Sequence, residues 1–160
     1  PTQYGATVQV LTESTDITPT ILDLIGQQIP PSMDGTSLRP FLEGSPPDNW
    51  RDCVHMELDY GEPNTTTLMQ AATGVTNLES NLAILREDQF KLIHFNGGLA
   101  PLLFDLQLDP DEMNNLAADP AHTTTLLRMT QKLLSHRMKH ANRSLTGIKI
   151  TPEGAVGYMQ

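Results

Sequence analysis

Apolar and polar positions along the chain fall into two rhythms. Residues 82–86 (LAILR), 90–95 (FKLIHF) and 102–106 (LLFDL) are short apolar runs of strand length, separated by Glu87-Asp88 and by Asn96-Gly97-Gly98. Strands joined by such turn residues predict an antiparallel meander. The period then changes. From Pro120 to about Ala141, the residues Leu126, Leu127, Thr130, Leu133, Leu134 and Met138 keep the i, i+3, i+4, i+7 spacing of one helix face. A long helix packed on one face of a small antiparallel sheet is the architecture these two patterns imply.

The first third of the chain is more broken. Residues 5–10 alternate and read as a short strand. Thr15 or Asp16 is placed to cap a following helix, with Pro19 tolerated in its first turn. Ile17, Ile21, Leu22, Leu24 and Ile25 form its apolar stripe, and Gly26 is placed to end it in a left-handed conformation. Pro30-Pro31 and Asp34-Gly35 then force loop structure up to a turn-rich stretch through Phe41 and Leu42. Residues 53–58 read as another strand. Residues 61–80 are polar, threonine-rich and without period, which reads as a long surface loop. Residues 142–160 carry too few apolar side chains to fold alone and read as an extended arm. The fold class expected is α/β to α+β. The chain divides at this stage into residues 1–60, the end of a larger α/β unit; 61–80, a loop; 81–141, the sheet-plus-helix subdomain; and 142–160, the arm.

The densest signal is LLFDLQLDPDEMNNLAADP, residues 102–120. A strand runs into two Asp-Pro steps, and the residue before each proline is pushed out of the α region. Asp109-Pro110 suits the start of a turn, and Asp119-Pro120 suits a helix N-cap followed by proline in the first helical position. Glu112, Asn114 and Asn115 are suited to satisfy loop backbone groups, and Met113 and Leu116 to anchor the loop on the core.

Composition narrows the possible functions. With 19 acidic and 10 basic residues in 160, the net charge is −9, and no basic cluster is available to neutralise nucleic-acid phosphates. The most basic stretch, residues 136–143, suits a helix C-terminus, where cations are favoured. A lone cysteine, Cys53, excludes an internal disulfide framework and fits a reducing compartment. The longest apolar run, residues 99–104, is far short of the ~20 residues a bilayer requires. A bacterial-type cytoplasmic setting is the expectation, with neither nucleic acid nor membrane as partner. Apolar content of 38% and aromatic content of 5% are low for a self-contained globule, and the chain opens on Pro1 with no initiator methionine. A fragment or a cleavage product is expected.

Few residues suggest chemistry. His55, Glu57 and Asp59 alternate along the strand at 53–58 and its end, so they share one side, where three ionisable groups could line a pocket rim. An exposed edge-strand face is the plainer use of the same pattern. His136 and His140 stand four apart on the long helix, but Arg137 and Lys139 bring positive charge where a cation would bind. Solvated residues at a helix end explain them. His94 alternates with buried positions as a satisfied sheet residue would, and Asn96-Gly97-Gly98 is explained as a hairpin turn.

The run at 102–120 is similar to the "leu-(tyr/phe)-asp-leu…asp-pro-x-glu-x-x-asn-leu" signature of the sulfatases, within the alkaline phosphatase superfamily. DITPTILDLIGQQIPPSMDGTSLRPFLEG, residues 16–44, resembles that family's "asp-x-x-pro-thr-leu-leu…gly…asp-gly-x-ser-leu-x-pro-leu-leu" segment. Residues 49–61, 88–106 and 133–146 most resemble the bacterial phosphonate monoester hydrolase branch. The resemblance covers nearly the whole chain, but only the last third or so of such an enzyme.

What it implies is the C-terminal fragment of an alkaline-phosphatase-like fold. The parent would be a metal-dependent hydrolase of phosphonate, phosphate or sulfate esters, with a formylglycine nucleophile and a divalent cation (Mn²⁺ or Ca²⁺). The family makes formylglycine from cysteine in a "cys-x-pro-ser-arg" motif, whereas Cys53 sits in CVHME. The metal-holding segments of the family do not occur here either. No catalytic and no metal residue carries over, and the chain alone is expected to be inactive. Partners implied are the remainder of the catalytic domain and further copies of the protein, reached through the C-terminal arm. In the related enzymes the strand at 53–58 belongs to the large central sheet, which would bring His55, Glu57 and Asp59 towards the active-site rim. A non-catalytic assembly or binding module derived from such a hydrolase is the alternative.

Overall fold

The structure, a computed structural model, describes residues 5–141 and 148–157. Its centre is a four-stranded antiparallel sheet in the order β1-β2-β3-β4, formed by Val54–Asp59, Asn81–Arg86, Phe90–Phe95 and Leu102–Asp105. The expected meander is present, with one strand more. The strand foreseen near 53–58 is β1, and it pairs antiparallel with β2 across the 60–80 segment.

Register explains the core. Leu85 lies opposite Leu92, and Leu92 opposite Leu103, so three leucines form one row across the sheet, each 0% exposed. The helix α4, Thr123–His140, lies over this row and inserts Met129 and Leu133. Ala83 completes the buried cluster, and Cys53, Phe90, Leu116, Ala117 and Leu126 pack around it. The helix buries a narrower stripe than its sequence suggests: Leu126, Met129 and Leu133 face the sheet, while Leu127, Leu134 and Met138 are exposed. Two apolar rows run along this helix, and periodicity alone does not say which one meets the sheet.

The connection from β4 to α4 follows the Asp-Pro reading. Asp119 accepts the Ala121 N–H at 2.9 Å and opens the 3₁₀ turn Pro120–His122, with Pro120 in its first turn. Asn115 Oδ1 accepts the backbone N–H groups of both Leu103 and Ala117, tying the loop to β4. Leu116 packs on the core as expected, but Met113 is exposed. Glu112 takes a left-handed φ of 55° and sends its carboxylate to Lys91 Nζ at 2.7 Å.

Two other expectations are corrected. Residues 5–10 form no strand; among the described residues they have no ladder partner, without which alternation cannot become structure. The 61–80 stretch is not a featureless loop. It folds as α3, Leu68–Thr73, and the 3₁₀ turn Asn77–Glu79. Two capping boxes start them: Thr67 with Gln70, and Thr76 with Glu79. That serine/threonine-x-x-glutamate/glutamine spacing is legible in the sequence as a helix start.

Before the sheet, α1 (Ile17–Leu24) follows the 3₁₀ turn Ser14–Asp16, and Gly26 ends it at φ 72° as expected. Its Ile17, Ile21, Leu24 and Ile25 are exposed. The short helix α2, Arg39–Leu42, follows. At the far end, β5 (Ile148–Thr151) and β6 (Gly154–Gly157) make a two-stranded hairpin, so part of the expected extended arm is paired. The remainder of that arm, residues 142–147 and 158–160, lies outside the described residues.

Candidate functional site

Three rows of side chains cross the helix-facing side of the sheet. The first continues the leucine row into β1, because His55 lies opposite Leu85. The second is Glu57, Ala83 and His94. The third pairs Asp59 with Asn81, and Asn96 follows at the end of β3, its N–H donating to the Asn81 carbonyl at 2.9 Å. The helix covers the apolar row and leaves the two polar rows beside an open depression of about 530 Å³. Glu57, Asp59, Asn81, His94, Asn96 and Arg137 line it. His55, Glu57 and Asp59 therefore do share one side of β1, and that side faces α4 rather than a bare edge. Asp59 and Glu57 reach the depression; His55 is tucked under the helix.

Arg137 holds this arrangement together. Its Nε lies 2.8 Å from Glu57 Oε1, linking the last turn of α4 to β1. His55 is half-buried, and its Nε2 makes no hydrogen bond. Burial lowers its pKa from the ordinary imidazole value. His94 is not a satisfied sheet residue as its alternation suggested, but an exposed one at the mouth of the depression. The Asn96-Gly97-Gly98 turn is a hairpin turn as read, with both glycines at positive φ and Asn96 Oδ1 accepting the Gly97 N–H at 2.8 Å.

A second, larger depression of about 930 Å³ opens on the other side of His55 and contains a charged cluster that periodicity could not reveal. Asp16 is 0% exposed and its carboxylate accepts four hydrogen bonds. Two come from the backbone N–H groups of Glu13 and Thr36, and two from the Arg51 guanidinium in a bidentate fork. Burial pushes its pKa up, but the Arg51 and backbone bonds outweigh this and hold it below the usual carboxylate value. Of the two cap candidates for α1, Thr15 and Asp16, the helix starts after Asp16, whose side chain makes no cap bond to it and serves this cluster instead. Arg51 also reaches Glu13 Oε2 at 2.7 Å, and Glu13 Oε1 accepts the His55 N–H at 2.9 Å. The cluster pins the start of β1 to the segment before α1.

His136 and His140, expected as solvated helix-end residues, are instead stacked on each other, with His55 against the far side of His136. Among the described residues, no group of three or more His, Cys, Asp or Glu is arranged to hold a metal ion.

Comparison with known proteins places this scaffold. Residues 2–139 match the family described as N-sulphoglucosamine sulphohydrolase, C-terminal. The chain is 37% identical over 155 residues to the multifunctional alkaline phosphatase superfamily protein PehA of Trinickia caryophylli, which spans 94% of this chain and 29% of that protein. The chain belongs to the sulfatase family of the alkaline phosphatase superfamily. Among solved structures, the phosphonate monoester hydrolase SpPMH from Silicibacter pomeroyi superposes with a TM-score of 0.78 at 44% identity, over 91% of this chain and 29% of that one. The phosphonate monoester hydrolase of Agrobacterium radiobacter gives 0.77 at 37% identity, over 96% of this chain and 30% of that one. The chain spans less than a third of the length of these relatives.

The sulfatase family implies a formylglycine and a metal for the parent enzyme. The described residues do not fit either group, and no cluster among them could hold a metal ion. Cys53 is half-buried against the core and sits in CVHME, without the proline, serine and arginine of the family's formylglycine motif. Its neighbour Asp52 is occupied by Lys132 at 2.7 Å. What the polar rows offer is hydrogen bonding to a ligand or to another part of the protein, without a nucleophile.

Proposed function

We propose that this chain is the C-terminal portion of a metal-dependent hydrolase of phosphonate, phosphate or sulfate esters, and that it acts as scaffold rather than as chemistry. The observation that carries the reading is the likeness to phosphonate monoester hydrolases along nearly the whole chain, which spans less than a third of those enzymes. The formylglycine and the divalent cation would be supplied from outside this chain. Bound there, they would provide the attacking group and stabilise charge on the transferred group.

In this reading the exposed apolar faces meet the remainder of the catalytic domain. Ile17, Ile21, Leu24 and Ile25 on α1 and Met56 and Leu58 on β1 are more than half exposed, an unusual concentration for a surface left to water. Glu57 and Asp59, with His55 behind them, belong to the rim of the substrate pocket. The C-terminal arm reaches a neighbouring copy and makes the protein a homo-oligomer. The setting is the bacterial cytoplasm; among the described residues no helix is long and apolar enough to cross a membrane.

The test uses the natural full-length protein. Purified with its metal, it should turn over phosphonate or sulfate monoesters, and Glu57→Ala should change kcat/KM for at least one of them. An inactive full-length protein would favour a non-catalytic assembly module. Unchanged kinetics in the variant across several esters would remove Glu57 from the rim.

A further inference from the structure

Three imidazoles stand in file where the end of α4 crosses β1. The ring centroids of His55 and His136 are 4.4 Å apart with the planes at 29°, and His136 and His140 repeat the same geometry one turn further on. Beyond them, His140 Nδ1 lies 2.8 Å from Asp34 Oδ1 on the loop after α1. One column thus joins the sheet, the helix and the N-terminal loop, through residues up to 106 positions apart.

Its position follows from the core. Leu126, Met129 and Leu133 face the sheet, and His136, three residues on, takes the next place along that stripe. Beneath it, His55 ends the row of Leu85, Leu92 and Leu103. Where the apolar core stops, imidazole on imidazole continues it. The uncharged rings pack there at little cost, but His55 Nε2 is buried without a hydrogen bond, and Glu57 Oε1 is 3.7 Å away, outside bonding range. A proton on His55 or His136 would place charge in a half-buried site beside another ring ready to take one.

We infer that the stacked His55–His136 pair, extended by His140, is an acid-sensitive latch that holds the last turns of α4 to β1 while its rings are neutral, and releases them on proton uptake. The charges around it come from every element packed there. Glu57 on β1, Glu13 before α1 and Asp34 on its loop favour the protonated rings; Arg51 at the entry to β1 and Arg137 and Lys139 on α4 oppose them, and the Asp52–Lys132 pair lies further along the same depression. For His55 and His136 burial is the largest effect and lowers both pKa values. The sign follows. A depressed imidazole binds its proton more readily once released, so the latch is fully closed above the unfolded value near 6.5 and weakens as pH falls from there through the folded values.

The test is backbone hydrogen exchange of peptides covering residues 131–141 in the natural full-length protein, read between pH 7.5 and 5.5 and corrected for intrinsic exchange. Protection should fall several-fold as the two depressed imidazoles take up protons. His136→Phe keeps the stacked ring without the charge, and protection in it should vary with pH by less than about a third as much. Protection that is flat with pH in the wild type, or that varies equally in H136F, overturns the latch. Should H136F fail to fold, histidine C2-proton exchange on the wild type decides: His55 and His136 should titrate below the ordinary imidazole value near 6.5, and midpoints at or above it overturn the inference.

Discussion

Replacing Arg51 by methionine should cost more than any exposed charge substitution, because of what it leaves behind. Asp16 is 0% exposed, and two of its four hydrogen bonds come from Arg51. Arg51→Met keeps much of the aliphatic volume but abandons a buried carboxylate with only the Glu13 and Thr36 N–H groups. Removing one partner of a buried pair costs about 3–5 kcal/mol. Arg51 is 15% exposed and borders a solvent-filled depression, so water replaces part of the guanidinium and the lower figure, about 3 kcal/mol, applies. The assay is urea unfolding followed by Trp50, the only tryptophan. Its Nε1 donates to the Leu11 carbonyl at 2.7 Å, Phe41 packs edge-on at 4.7 Å, and the Arg51 guanidinium lies over its ring. With a urea slope of about 1–3 kcal/mol per molar, the midpoint should fall by roughly 1–3 M. Adding Asp16→Asn removes the stranded charge and should return part of the loss. The acid limb also has a defined sign. In the wild type the Asp16 contribution is present above the unfolded value near 3.9 and is lost as pH falls through its depressed folded pKa. In R51M burial acts unopposed by the guanidinium, so loss begins at a higher pH. A midpoint shift no larger than that of Arg86→Met, on the exposed Arg86, would refute the argument.

Other predictions concern the scaffold. Leu92→Ala, in the middle of the leucine row, should lose about 2–5 kcal/mol in the same unfolding assay, whereas Leu127→Ala on the exposed row should lose under about 1 kcal/mol. Gly35→Ala would drive a Cβ into the Thr15 carbonyl, and the resulting displacement of the 33–38 loop should cost about 1–3 kcal/mol and alter Trp50 emission. Glu87, 15% exposed, receives Arg128 and Lys132 from α4 at 2.7–2.8 Å, so Glu87→Gln should loosen the helix from the β2–β3 turn by about 1–3 kcal/mol, measured as a lower thermal midpoint.

The sequence made the fold's local parts legible where a signal was self-contained. The meander strands, the Asp119-Pro120 helix start and the Gly26 stop each rest on a few adjacent residues. The errors came where distant partners decide. Alternation at 5–10 lacks a paired strand among the described residues, and Leu127, Leu134 and Met138 match the helix rhythm yet lie on the row that the sheet does not meet. The capping boxes at Thr67 and Thr76 are local signals, but the polar, threonine-rich stretch around them carries no helix period. For the candidate site, alternation placed His55, Glu57 and Asp59 on one side of β1. It could not supply Asn81, Asn96 or Arg137, which reach the same depression through strand register and helix docking. Nor could it supply the Asp16–Arg51 pair, 35 residues apart, or the histidine column, because neither follows from any period.

The division between scaffold and chemistry is tested most directly by multiple-turnover hydrolysis of phosphonate, phosphate and sulfate monoesters by the purified 160-residue chain, with and without added Mn²⁺ or Ca²⁺. The account predicts no turnover by this chain under any of these conditions, against measurable turnover by the full-length protein. Metal-stimulated multiple turnover by the chain alone, abolished by Cys53→Ala, would contradict it.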